Sequence, residues 1–116
     1  MNDEPAPTLV ILSQFVVRPS ASEEFMRRLL RTTRDRLGLP GVVGVTSLRD
    51  SGAPWRFALF EVFVDRRSAA ARSESDLHTR WKAEARDLVV QFTEEQLDVL
   101  SHPPRCHSPK ATTAAQ

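Results

Sequence analysis

Two rhythms of apolar and polar positions alternate along this chain. "TLVILSQFVV", Thr8–Val17, is rich in β-formers on both alternating faces, which predicts a strand that Pro19 stops. In "SASEEFMRRLLRTTRDRLG" the period changes. Phe25, Leu29, Leu30, Thr33 and Leu37 recur at helical spacing, Ser20 or Ser22 is placed to cap the helix, and Gly38, Pro40 and Gly41 end it. Val42–Asp50 reads as a second strand, "SGAP" as a turn, and "WRFALFEVFV", Trp55–Val64, as the strongest strand of the chain. "SAAARSE" is a short helical piece with Ser68 as candidate cap. A helix follows over Asp76–Phe92, because Leu77, Trp81, Ala85 and Leu88 fall in one narrow angular sector. Glu95–Ser101 is the candidate last strand.

The order β-α-β-β-α-β is that of an α+β, ferredoxin-like antiparallel sheet with its helices on one face. An antiparallel sheet with one wet face alternates apolar and polar residues. The third strand does not: Phe57, Leu59 and Phe63 point one way, and Ala58, Phe60, Val62 and Val64 the other. Helices cover only one of those faces, so the pattern predicts a homodimer packed through the sheet. Residues 1–7 read as a disordered leader, 8–103 as the domain and 104–116 as a disordered tail.

Composition narrows the function. At 116 residues, 41% apolar and 27% charged, the chain is one ordinary globular domain. The net charge of +1 argues against nucleic acid or an acidic membrane as partner. Arg27, Arg28, Arg31, Arg34 and Arg36 crowd one helix, but Glu23, Glu24 and Asp35 dilute them and no aromatics interleave, so they read as a solvated face. One cysteine, Cys106, forms no internal disulfide, and there is no bilayer-length apolar run or secretory signal, so the expected location is cytoplasmic. His102, Cys106 and His107 lack a rigid frame and a fourth ligand, so no metal site is read there.

Several stretches together resemble one family. "FALFEVFVDRRSAAARSESDLHTRW" is similar to the third strand, short helix and following helix of antibiotic biosynthesis monooxygenase domains. The "VVRPS…EEF" junction, "PGVVGV", Phe57 with Glu61, and Trp81 fit as well, over roughly residues 9–103. The resemblance implies a dimeric α+β barrel and cofactor-independent oxygenation of a small aromatic, quinol or polyphenol. The family's frequent E-x10-H-x4-H pattern puts Glu61 on the acid, Arg72 on the first histidine and Leu77 on the second, with His78 one residue late. The same scaffold also admits a non-catalytic small-molecule binder. A haem-binding relative is the third reading, with His78 as the candidate axial ligand.

The candidate chemistry centres on "RSESDLHTRW". If Ser73 or Ser75 caps the helix, His78 sits near its positive end, which keeps the imidazole neutral. It is either a pocket base or a rim histidine. Glu61, mid-strand among apolar residues, is either a pocket acid or base or a paired structural acid, and Arg72 is a candidate partner. As the catalytic pair these are His78 and Glu61. Arg72 is expected to steady an anionic oxygen; Phe57, Phe63, Leu77 and Trp81 to line the slot. Of Ser13 and Gln14, the polar interruptions of the first strand, one faces the cavity, and Gln14 is carried as the substrate-binding candidate.

Overall fold

The structure, a computed structural model, describes residues 9–101. Strand β1 (Leu9–Val17) leads through a 3₁₀ turn (Pro19–Ala21) into helix α1 (Ser22–Arg36), then β2 (Val42–Arg49) and β3 (Arg56–Phe63). Helices α2 (Arg66–Glu74) and α3 (Asp76–Arg86) precede β4 (Val89–Asp98). All neighbouring strands are antiparallel in the order β2-β3-β1-β4, the ferredoxin-like α+β arrangement. The leader and tail expected at the two ends lie outside the described residues.

The caps differ in detail from the expected ones. Ser22 opens α1 rather than capping it: its hydroxyl donates to the Pro19 carbonyl at 2.9 Å, and Ala21 is the N-cap. Asp65, not Ser68, caps α2 by accepting from the Ser68 N–H. Ser75 caps α3, accepting from the His78 N–H at 3.1 Å. Gly41 is the one described residue with φ in the left-handed region, at +79°. A Cβ there would lie 1.8 Å from Ser68 Oγ, so the loop closes against α2 only with glycine.

The structure corrects the boundary between the last helix and the last strand. Helix α3 ends at Arg86, and residues 89–92, expected as helix, begin β4, where Val89 pairs with Val17 and Phe92 with Phe15. Leu88 keeps the helical period because it still packs against the core from the turn between the two elements. The β-branched pair Val89 and Val90 and the free edge of β1 decide in favour of strand.

On α1 the buried stripe is Phe25, Leu29, Thr32 and Arg36. Leu30 and Leu37 are about half exposed, off the expected face. Phe25 is central: its ring lies 4.9–5.6 Å from Phe57, Phe15 and Trp81. These residues, with Val17, Leu29, Leu59 and Ala85, form the larger apolar cluster. Leu9, Ile11, Phe63 and Ala69 form a smaller one. Along β3, Glu61 falls between Leu59 of the first and Phe63 of the second, so a polar layer divides the core.

The opposite sheet face carries Val10, Leu12 and Val16 of β1, Ala58, Phe60 and Val62 of β3, and Leu48 and Leu97 at the edges. None of the described helices covers it, and Phe60, Leu48 and Leu97 are exposed. Truncation of Phe25 to alanine removes a fully buried ring and is expected to destabilise the fold by about 3–5 kcal/mol, measured as a lower urea midpoint at unchanged slope.

Candidate functional site

Four polar side chains meet in the layer between the apolar clusters. Arg36 comes from the last turn of α1, Glu61 from β3, Arg72 from α2 and His78 from the first turn of α3. All four are buried, Arg36 and Glu61 completely. Glu61 takes both guanidinium groups. Its Oε2 accepts from Arg36 Nη1 at 2.9 Å and its Oε1 from Arg72 Nη2 at 2.8 Å. Arg72 Nε also reaches Oε2 at 3.4 Å, and its Nη1 lies 3.5 Å from the half-exposed carboxylate of Glu94 on β4. Two cations and two anions therefore balance formally. Burial lowers the Arg36 pKa and the Glu61 carboxylate raises it; an arginine remains charged in a protein.

Arg36 settles the protonation of His78. Its Nη2 lies 3.0 Å from His78 Nδ1. A guanidinium only donates, so Nδ1 accepts and the imidazole proton resides on Nε2. Burial, the charges of Arg72 and Arg36, and that of Lys82 push the His78 pKa down from 6.5 to about 3. The position of the ring at the positive end of α3 acts in the same direction. His78 is thus a neutral hydrogen-bond donor through Nε2, and it does not act as a base near pH 7. An axial haem ligand gains strength by donating its second nitrogen to an acceptor. Here that nitrogen accepts from a cation instead, so the residues do not fit haem.

Beside this layer a cavity of about 450 Å³ opens between α3 and β4. Phe15, Trp81 and Phe92 give it an aromatic side. Phe15 meets Trp81 edge-on, with centroids 5.8 Å apart, and Phe92 at 5.3 Å. Ser13, Arg72, His78 and Glu94 supply its polar side, and Lys82 and Arg86 stand on the α3 side. Of the sequence candidates, His78, Arg72 and Trp81 line this cavity. Glu61 does not: it lies behind Arg72 with both oxygens held, as the paired structural acid. Phe57 belongs to the main core and Phe63 to the smaller cluster. Leu77 lines a separate groove between α1 and α3. Gln14 is exposed on the open sheet face, and Ser13 is the residue that faces the helices and the cavity.

Arg36, expected on a solvated arginine face, is as completely buried as Glu61. The signal for it is present in the chain: 25, 29, 32 and 36 continue one helical stripe, and the carboxylate of Glu61 requires a partner. Glu94 has no such signal, because the pattern of apolar residues starts the last strand only at Glu95. Among the described residues no group of three or more histidine, cysteine or acidic side chains is placed to hold a metal ion. None of their helices is long and apolar enough to cross a membrane.

The sequence profile of the family described as antibiotic biosynthesis monooxygenase matches residues 8–84. Comparison with curated proteins gives no match. Among solved structures, an antibiotic biosynthesis monooxygenase is similar at 17% identity, with 80% of this chain and 99% of that one covered and a TM-score of 0.74. A Nitrosomonas europaea protein of unknown function is similar at 15% identity, covering 90% and 100%, with a TM-score of 0.77. A Mycobacterium tuberculosis protein is similar at 16% identity, covering 85% and 100%, with a TM-score of 0.76. At these identities the structures show the common fold.

The depressed His78 pKa has a thermodynamic consequence. Unfolded, the ring binds a proton below about pH 6.5; folded, only near pH 3. Between those values the unfolded state holds more protons, so stability falls as pH falls. The urea midpoint of the wild type is expected to drop more steeply from pH 6.5 to pH 4 than that of His78→Gln. Parallel profiles would contradict the assignment.

Proposed function

This chain belongs to the antibiotic biosynthesis monooxygenase family, and from that premise we propose that it oxygenates a small quinol or polyphenol in the α3–β4 cavity without a bound cofactor. The observation that carries this reading is the pairing, in one cavity, of a buried guanidinium and a neutral Nε2–H donor with an aromatic wall. Donors fixed in a water-poor site stabilise a developing oxyanion far better than water does. A phenolic hydroxyl brought against Arg72 and His78 is made more acidic and releases its proton to solvent through the open side of the cavity. Phe15, Trp81 and Phe92 hold the ring. The electron-rich anion then reacts with dioxygen. For a hydroquinone, one oxygen atom ends on the ring as a hydroxyquinone and the other leaves as water. The substrate supplies all four electrons, so the balance needs no separate reductant.

In this scheme His78 works as donor rather than base, and Glu61 works through Arg36 and Arg72 as a positioning residue. A non-catalytic binder on the same scaffold is the second reading, supported by Arg72 and Leu77 standing where the family resemblance implies histidines. The bare apolar sheet face supports a homodimer packed through it, since a domain of this size gains much from the added burial. We assign the protein to the cytoplasm, where a chain with one cysteine needs no disulfide.

Metal-free protein is expected to consume oxygen with a panel of simple quinols, and His78→Phe to lower kcat/KM by about 100-fold. Because His78 stays neutral between pH 5 and 8, the rate there should follow only the ionisation of the quinol. An enzyme limb near pH 6.5, or full activity in His78→Phe, overturns the mechanism; binding without turnover selects the second reading. Light scattering at micromolar concentration should give twice the chain mass, and Phe60→Glu should halve it.

A further inference from the structure

Ser13 is 1% exposed, and among the described residues its hydroxyl oxygen is the buried side-chain polar atom without a hydrogen-bond partner. A buried hydroxyl without a partner is destabilising, and native structures rarely keep one without a use. Ser13 lies on the helix side of β1 and lines the cavity. Directly across the β1–β4 ladder its partner is Glu94, whose carboxylate lines the same cavity. Side chains facing each other across such a ladder stand about 5 Å apart at Cβ, close enough to grip one small group between them. Glu94 in turn lies 3.5 Å from Arg72, so this pair adjoins the cationic site.

We infer that Ser13 and Glu94 form a second subsite, which binds a ligand hydroxyl on the ring carbon next to the one whose oxygen meets Arg72 and His78. The inference rests on the cavity reading of the preceding subsection and adds a substrate class to it: aromatics with two vicinal oxygens, such as catechols. Chemical complementarity supports the assignment. Arg72 and the Nε2–H of His78 are donors only and suit an ionised or carbonyl oxygen. Glu94 accepts, and Ser13 both donates and accepts, which suits an un-ionised hydroxyl. Vicinal oxygens lie about as far apart as a hydrogen-bonded pair. That spacing matches the short separation of Arg72 from Glu94, whereas hydroxyls at opposite ends of a fused ring cannot occupy both subsites.

The test is calorimetric titration of the full chain at pH 7 with 2,3-dihydroxynaphthalene, 2,6-dihydroxynaphthalene and 2,3-dimethoxynaphthalene. The wild type is expected to prefer the 2,3-diol over the 2,6-diol by about tenfold, and to bind the dimethyl ether weakest, since it offers no hydroxyl proton. Ser13→Ala and Glu94→Ala should each weaken the 2,3-diol by about three- to tenfold and leave the 2,6-diol nearly unchanged. Ser13→Ala should at the same time melt at or above the wild-type temperature, because it deletes an unsatisfied hydroxyl. A merely structural Ser13 would lose stability and leave the isomer preference intact. Equal affinity for the two diols, or variants that keep the preference, overturns the vicinal subsite while the cavity reading stands. Failure of the wild type to bind any of the three probes overturns both.

Discussion

The carboxylate of Glu61, shared between two buried guanidinium groups, is the constraint on which the rest of this structure depends. An isolated charge in a protein interior is costly, and one member of such a cluster left without its partners costs several kcal/mol. The cluster therefore requires the end of α1, the middle of β3 and the α2–α3 segment to meet at one level of the core. Buried ion pairs are often no more stabilising than apolar residues of the same volume. What this one provides is geometry. Each hydrogen-bonding arm of Arg36 is used: Nε on Thr32, Nη1 on Glu61 and Nη2 on His78. The orientation of the imidazole follows from the same three bonds.

The apolar framework is largely legible in the amino-acid sequence. β1, β3 and the body of α1 follow from period, because each buries a regular face, and β2 follows from its β-formers set between Gly41 and Gly52. Legibility fails where tertiary pairing overrides local pattern, as at Val89 and Val90, whose helical phase comes from Leu88 alone. It also fails where chemistry hides within a familiar rhythm. Leu30 and Leu37 look like core and Arg36 like surface, since hydrophobicity ranks them so. The structure reverses them because a guanidinium with three partners is less costly to bury than Glu61 would be to leave alone. The choice between Ser13 and Gln14 cannot be made from the strand itself. Both are polar, and only the position of the helices says which is inside.

The two faces of the sheet have different roles. On the helix side, β1 and β3 alternate apolar residues with Ser13 and Glu61, so that polarity is admitted at one level and excluded above and below it. On the other side the central strands carry Val10, Leu12, Val16, Ala58, Phe60 and Val62, with Gln14 and Arg56 as the polar residues. The buried ionic cluster and the largely apolar face are thus separated by the thickness of one sheet.

The walls of the cavity have an uneven ancestry in the chain. Its charge-bearing floor is assembled from distant segments, and a change to any one of them strands a buried ion. Its aromatic and acidic flank is different: Trp81, Phe92 and Glu94 lie within fourteen consecutive residues, on two elements joined by the two-residue link Asp87 and Leu88. The stretch matched by the family profile stops at residue 84, so Phe92 and Glu94 lie past it. Lengthening that link or exchanging Phe92 would reshape the aromatic flank of the cavity without touching the bonds among Arg36, Glu61, Arg72 and His78.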